Sequence, residues 1–117
     1  MSAQDDSRAP QPTVEILTFQ GCPNAAATRE LVARAVADVC IDARIVDVNV
    51  PDVAAAEGLR FLGSPTIRVN GNDIEPGADE RTAYVFACRI YRTSSGMTGV
   101  PDETWLRDAL TARTAPS

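Results

Sequence analysis

Histidine and lysine are both missing from this 117-residue chain, and all eleven basic residues are arginine. Because the chain has no imidazole, Cys–His catalysis, histidine-ligated zinc and histidine general bases are excluded. An excess of positive charge is missing too, since the formal net charge is −5. An acidic chain repels polyanions, and we therefore expect neither nucleic acid nor an anionic membrane surface as a partner.

Long apolar runs are also lacking. No run approaches the roughly 18 apolar residues of a membrane helix, and residues 1–12 lack the apolar stretch of a secretory signal. We expect residues 1–12 to be a disordered leader, residues 13–112 to form one domain and residues 113–117 to be a tail. Three widely separated cysteines without a signal favour the reducing cytoplasm, where thiols are catalytic, ligating or buried.

What is present is an alternation of strand and helix patterns. Strands are predicted at residues 13–19, 43–50, 66–69 and 72–74, and helices at residues 23–40, 51–57 and 101–110. The first two strands are predicted to be parallel because a helix connects them, and the Asn70-Gly71 turn predicts an antiparallel hairpin. The order is therefore β-α-β-α-β-β-α, an α/β class with a central mixed sheet and an extended segment before the last helix.

Residues 75–100 have the least regular pattern. Residues 84–91 fit a strand with Tyr84, Phe86, Cys88 and Ile90 on one face, although the run is short enough to fit a helix as well. The charged residues around this segment are expected to be mostly solvated, namely Asp73, Glu75, Asp79, Glu80, Arg68, Arg89 and Arg92. Any one of the three arginines could instead fold over the Cys22 thiolate.

Cys22 is the residue with the clearest chemical potential. A strand pattern runs into it and a helical pattern runs out, with Gly21 and Pro23 shaping the turn and Pro23 suiting the first helical position. The turn is expected to expose Cys22 at the carboxyl edge of the sheet, where open α/β folds bind ligands. A helix N-terminus stabilises a thiolate, the form that attacks disulfides and binds soft metals. Since Ala25 stands three residues further on, no local C-x-x-C disulfide can form.

The element order and three local sequences resemble the thioredoxin fold. Residues 21–24 stand at the position of that family's redox motif, residues 58–66 are similar to the stretch that leads to its cis-proline, and Asn70-Gly71 follows as the hairpin turn. The likeness covers residues 13–74, and the last helix agrees with it. Residues 88–93 and the other motifs also resemble a group of small bacterial thioredoxin-like proteins with a single Gly-Cys-Pro-Asn cysteine, some of them labelled alkylmercury lyases.

The resemblance implies a site around Cys22. The Ser64–Pro65 bond would be cis and would lie beside the thiol, with the Ser64 backbone free to pair with a bound peptide or thiol. The residues that it implies for substrate binding are Gly21, Pro23, Asn24, Ser64, Pro65 and Thr66. Ala25 departs from the pattern because it replaces the resolving cysteine, and the acidic cap with which glutaredoxins hold glutathione is not evident.

Two interpretations of Cys88 stay open. It is either a distant catalytic partner of Cys22, resolving a mixed disulfide or completing a two-coordinate metal site, or a core residue on an apolar strand face. A spacing of 66 residues does not fix a distance between the two cysteines. Cys40, at a predicted helix end, is expected to be structural.

Three functions follow as hypotheses. The first is a cytoplasmic monothiol oxidoreductase without a cofactor, in which Cys22 attacks a small-molecule or protein disulfide and an external thiol or Cys88 resolves the product. The second is a soft-metal protein, in which Cys22 and Cys88 bind Hg(II) or Cu(I) and a nearby carboxylate could protonate a carbanion released from an organomercurial. The third is a non-catalytic domain that uses the same groove to bind a partner. The oligomeric state is left open.

Overall fold

Six strands, three α-helices and one 3₁₀ helix make up residues 11–114, which are the residues that the computed structural model describes, with side chains through residue 111. Residues 1–10 of the predicted leader and residues 115–117 of the predicted tail therefore lie outside the described residues. The elements are β1 (Thr13–Thr18), α1 (Ala25–Asp38), β2 (Arg44–Asn49), α2 (Val53–Gly58), β3 (Thr66–Val69), β4 (Asn72–Asp73), the 3₁₀ helix (Ala78–Glu80), β5 (Tyr91–Thr93), β6 (Gly96–Thr98) and α3 (Glu103–Thr114).

The main sheet has four strands in the order β2-β1-β3-β4. β1 is parallel to β2, with Thr13 opposite Arg44, and antiparallel to β3, with Leu17 opposite Thr66. The hairpin between β3 and β4 turns at Asn70 and Gly71, whose φ angles of 52° and 88° suit a tight two-residue turn. The predictions of an α/β class, a mixed sheet and a parallel first pair are confirmed.

The two faces of β1 pack into different clusters. On one face, apolar residues of β1 and β3 pack against α1 and α3, with Leu31, Val32, Leu106 and Leu110 among the buried side chains. On the other face, Leu17 packs with Val50, Ala56 and Phe61. Full burial of a Leu or Phe side chain stabilises a fold by roughly 1.5–3 kcal/mol. The carboxyl end of β1 is therefore held on both sides, and the turn that follows it starts from a fixed point.

Helix boundaries differ from the predicted ones for local reasons. α2 begins at Val53 instead of residue 51, because Asp52 caps it by accepting a hydrogen bond from the Ala55 amide at 2.8 Å. α1 ends at Asp38, and Cys40, with φ of 56°, leaves the helical conformation. α3 continues through Thr114 and so extends past the predicted end at residue 110.

The prediction of a regular strand or helix at residues 84–91 is wrong. Residues 81–90 form an irregular segment with a single bridge, in which Cys88 pairs in parallel with Ser64, and β5 begins only at Tyr91. The predicted apolar face is reversed as well, since Phe86 and Ile90 are exposed while Arg89 and Tyr91 are buried. Within residues 11–114, no helix combines the length and the apolar character needed to cross a bilayer.

Candidate functional site: the Cys22 turn and the segment that covers it

Cys22 lies in a tight turn directly after β1. Its amide donates to the Phe19 carbonyl at 3.2 Å, and its own carbonyl accepts from the Ala25 amide at 3.3 Å. Gly21 has φ of +88°, a conformation that favours glycine. The expectation that the turn exposes Cys22 is wrong, because the residue is 9% exposed. The backbone of the turn is thus fixed on both sides of Cys22, and the residue is buried.

Helix α1 starts two residues later than predicted. Pro23 is exposed and lies outside the helix, whose first residue is Ala25. The Asn24 carbonyl accepts from the Thr28 amide at 3.1 Å and from the Thr28 hydroxyl at 2.8 Å. The Asn24 side chain instead lies against Gly99, where a Cβ would sit 2.9 Å from Asn24 Cγ. Asn24 therefore connects the Cys22 turn to the chain that leads into α3.

Residues 63–66 form the opposite wall of the site. The Ser64–Pro65 bond is cis, and Ser64, Pro65 and Thr66 are all buried. The Thr66 hydroxyl donates to the Gly63 carbonyl at 2.6 Å. Leu17 pairs with Thr66 in the antiparallel register, so Ser64 and Pro65, the two residues before Thr66, lie beside the carboxyl end of β1. The proline and the turn that carries Cys22 thus lie at the same end of the sheet.

The backbone around Ser64 is already paired. We call residues 85–89 the covering segment. The Ser64 amide donates to the Ala87 carbonyl at 2.9 Å, and the Ser64 carbonyl accepts from the Arg89 amide at 2.9 Å. The Val85 amide also donates to the Phe61 carbonyl at 2.9 Å. The expectation that the Ser64 backbone is free for a bound peptide or thiol is therefore wrong, because the chain's own segment occupies it.

Arg89 anchors the covering segment. Its side chain is only 1% exposed and bonds to Asp73 Oδ2 at 2.8 Å and Glu75 Oε1 at 2.6 Å. It also donates to Thr66 Oγ1 at 2.9 Å, and its guanidinium lies 4.4 Å from the centre of the Tyr91 ring. The predictions of a surface Arg89 and of solvated carboxylates at positions 73 and 75 are therefore wrong.

Electrostatics keep this anchor charged. Burial lowers the pKa of Arg89, but the hydrogen bond to Asp73 and the neighbouring charges outweigh it, so the pKa ends above its usual value. Burial raises the pKa of Tyr91, which therefore stays a neutral donor, and its hydroxyl donates to the Pro65 carbonyl at 2.5 Å. Arg89 and Tyr91 together tie the end of the covering segment to both sides of the proline.

Cys88 sits on the covering segment and is exposed, which contradicts its interpretation as a core residue. The turn after β1 and the covering segment are in contact, because the rings of Phe19 and Phe86 lie 5.2 Å apart between centres. Cys22 and Cys88 are therefore free thiols on neighbouring segments. Cys40 is exposed, so it does not pack in the core, and it lies beyond the far end of α1, a helix of about 20 Å.

Two buried polar atoms of this region have no hydrogen-bond partner among the described residues, namely Ser64 Oγ and Arg89 Nε. The same part of the chain contains no group of three or more cysteine, aspartate or glutamate side chains arranged to hold a metal ion.

Comparison with protein-family models finds no match, and comparison with curated proteins finds none either.

The site residues that sequence reasoning missed are the ones that hold the covering segment. Gly63 is one of them: with φ of +122°, it would place a Cβ 2.8 Å from Arg89 Cβ. Arg89 and Tyr91 are the others. The sequence contains one indication of this arrangement, because Arg89 and Tyr91 alternate with Cys88 and Ile90 and so must face the opposite side of an extended chain. Nothing in that alternation says which side is buried.

Proposed function

We propose that this chain is a thioredoxin-like thiol–disulfide oxidoreductase with Cys22 as its nucleophile. The sheet order β2-β1-β3-β4, with a cysteine after β1 and a cis-proline before β3, supports the thioredoxin-like assignment. The observation that carries the proposal is the position of the two thiols. Cys22 lies in the turn after β1, at the same end of the sheet as Ser64–Pro65. The backbone of Cys88 forms a β-bridge with the backbone of that same Ser64.

The reaction begins when the Cys22 thiolate attacks one sulfur of a substrate disulfide. A Cys22–substrate disulfide forms, and the other half of the substrate leaves as a thiolate. The Cys88 thiolate, or an external thiol, then attacks the Cys22 sulfur and releases the second half. On the Cys88 route the two electrons come from Cys22 and Cys88, which end as an internal disulfide. On the external route they come from Cys22 and the external thiol, which end as a mixed disulfide. In either case a further external thiol is needed to reduce the protein again.

A single-turnover experiment tests this scheme. The reduced protein is mixed with hydroxyethyl disulfide and examined by mass spectrometry after acid quenching. We expect an internal disulfide, seen as the loss of two hydrogens, in the natural sequence and in Cys40→Ser. Cys88→Ser should instead accumulate a mixed disulfide at Cys22. If Cys22 stays reduced while Cys40 or Cys88 reacts, the oxidoreductase proposal is wrong and the non-catalytic domain is favoured.

Soft-metal binding is the second candidate, because Cys22 and Cys88 are free thiols on neighbouring segments, and thiolates are the ligands that Hg(II) and Cu(I) prefer. Cleavage of an organomercurial finds less support. Asp73 and Glu75, two of the carboxylates considered for protonating a carbanion, are both bonded to Arg89. Titration with Hg(II) should give one tight ion per chain and a large loss of affinity in Cys88→Ser. Unchanged affinity and stoichiometry in that variant would rule out the paired site.

A further inference from the structure

We propose that the covering segment closes the backbone edge beside Cys22, so that its substrates are low-molecular-weight disulfides and not disulfides within an extended polypeptide. This inference rests on the proposed oxidoreductase function and specifies its substrate class. The observation behind it is that residues 85–89 are paired along the backbone of residues 61–64.

A polypeptide substrate binds beside a strand through free backbone groups, adding one more strand and using N–H and C=O groups for affinity. At this site those groups are taken. The Phe61 carbonyl accepts from Val85, and both the amide and the carbonyl of Ser64 bond to the covering segment. A peptide that ran past Cys22 at this edge would first have to replace three internal hydrogen bonds.

The covering segment is also fixed by side chains. Gly63 leaves no room between the two backbones, since a Cβ there would lie 3.2 Å from the Ala87 carbonyl oxygen. The Arg89 side chain is buried and charged, so moving the segment outward would separate a guanidinium from Asp73 and Glu75. A bound peptide strand therefore competes with the well-anchored covering segment.

A small disulfide does not meet this competition. It has to reach only the sulfur of Cys22, a residue that is 9% exposed, whereas a polypeptide needs the adjacent backbone as well. The exposed Cys88 lies on the covering segment, so the second thiol is available on the same surface. The segment thus excludes one class of substrate while it presents the residue that can complete the reaction for the other class.

The test compares a small disulfide with a polypeptide one at equal concentration. The substrates are hydroxyethyl disulfide and the disulfide-linked dimer of an unstructured single-cysteine peptide. Each rate of Cys22 oxidation is divided by the rate at which dithiothreitol reduces the same disulfide. For the natural sequence we expect the normalised rate to favour the small substrate at least tenfold.

Val85→Pro is the variant that opens the edge. The substitution removes the amide that donates to the Phe61 carbonyl, and Val85 is 41% exposed, so little packing is lost. Ala83→Pro is the matched control, because Ala83 is also exposed and lies outside the covering segment. We expect the small-substrate preference to fall at least fivefold in Val85→Pro and to stay unchanged in Ala83→Pro.

The outcomes separate the two proposals. If both disulfides react at equal normalised rates and both reactions vanish in Cys22→Ser, the closed edge is wrong and the oxidoreductase stands. A folded Val85→Pro that keeps the full preference also overturns the closed edge. If neither disulfide oxidises Cys22, the oxidoreductase itself fails. Should Val85→Pro not fold, hydrogen exchange in the natural sequence decides, since rapid exchange of the Val85 and Arg89 amides would contradict the pairing.

Discussion

Replacing Arg89 with methionine tests whether the buried ion cluster holds the covering segment in place. Methionine is uncharged and unbranched, and it is shorter than arginine by two heavy atoms, so the substitution removes the guanidinium and keeps the apolar stem. Asp73 and Glu75, whose side chains are 11% and 16% exposed, would then lose the cation between them, and Glu75 would keep only its ion pair with the half-exposed Arg81, 2.9 Å away. The two carboxylates would repel each other in a region from which water is largely excluded.

The expected loss of stability is large. Removal of one partner from a buried ion pair costs about 3–5 kcal/mol, because the remaining charge, here that of Asp73, is left without compensation. Small domains have a free energy of unfolding of about 5–15 kcal/mol, so Arg89→Met should remove a substantial fraction of it. If the cost comes from uncompensated charge, adding Asp73→Asn and Glu75→Gln should restore part of the loss.

Urea denaturation of the reduced protein, followed by circular dichroism, measures the effect. With a slope of about 1.5 kcal/mol per molar urea, the midpoint should fall by roughly 2–3 M. Arg92→Met is the matched control, since Arg92 is exposed on β5, and we expect its midpoint to move little. A loss below about 1 kcal/mol in Arg89→Met, or a triple variant less stable than the single one, would refute the assignment of Arg89 as the anchor.

Three further substitutions probe the same region and the start of α3. Gly63→Ala should cost about 2 kcal/mol or more in urea denaturation, because φ of +122° strains any side chain and the new Cβ meets the covering segment. Tyr91→Phe should cost about 1–2 kcal/mol, since the buried Pro65 carbonyl loses its donor, and refolding midpoints compared with the natural sequence would measure it. Asp102→Ala should cost about 1 kcal/mol through loss of a helix cap, and Asp102→Asn less. The Ser94 amide lowers the pKa of Asp102, so this contribution is complete above the ordinary aspartate pKa of about 4 and declines as the pH falls through the lower folded value. Denaturation midpoints for the natural sequence and Asp102→Ala should therefore converge in acid, and a constant difference down to pH 2 would contradict this.

The elements that the sequence predicts well are those with a local cause. β1 and β2 are predicted because their sequences are rich in β-branched and other apolar residues. The Asn70-Gly71 turn adopts the positive φ angles that its residues favour. α1 follows from the spacing of its apolar residues, and Leu31, Val32 and Ala35 are buried as that spacing requires. Each of these predictions depends on residues close together in the chain.

The covering segment could not be predicted in this way, because its conformation depends on partners far away. Arg89 meets carboxylates 14 and 16 residues earlier, and its amide bonds to a carbonyl 25 residues away. Alternation along residues 84–91 is compatible with burial of either side, and the apolar side chains favour the wrong one. The ion cluster with Asp73 and Glu75 decides the orientation, since a paired guanidinium can be buried where a lone charge cannot.

The ion cluster of Arg89 also bears on the chemistry proposed for Cys22, because it fixes the segment that carries Cys88. With alanine at position 25, the second thiol has to come from another part of the chain or from outside. Cys88 is next to Arg89, so whatever fixes the guanidinium also fixes the backbone on which Cys88 stands. An arginine suits this task better than a lysine would, because it binds two carboxylates at once and keeps its charge when buried. Loss of the anchor should therefore weaken both the closure of the edge and the formation of an internal disulfide, whereas loss of Cys88 should abolish only the second.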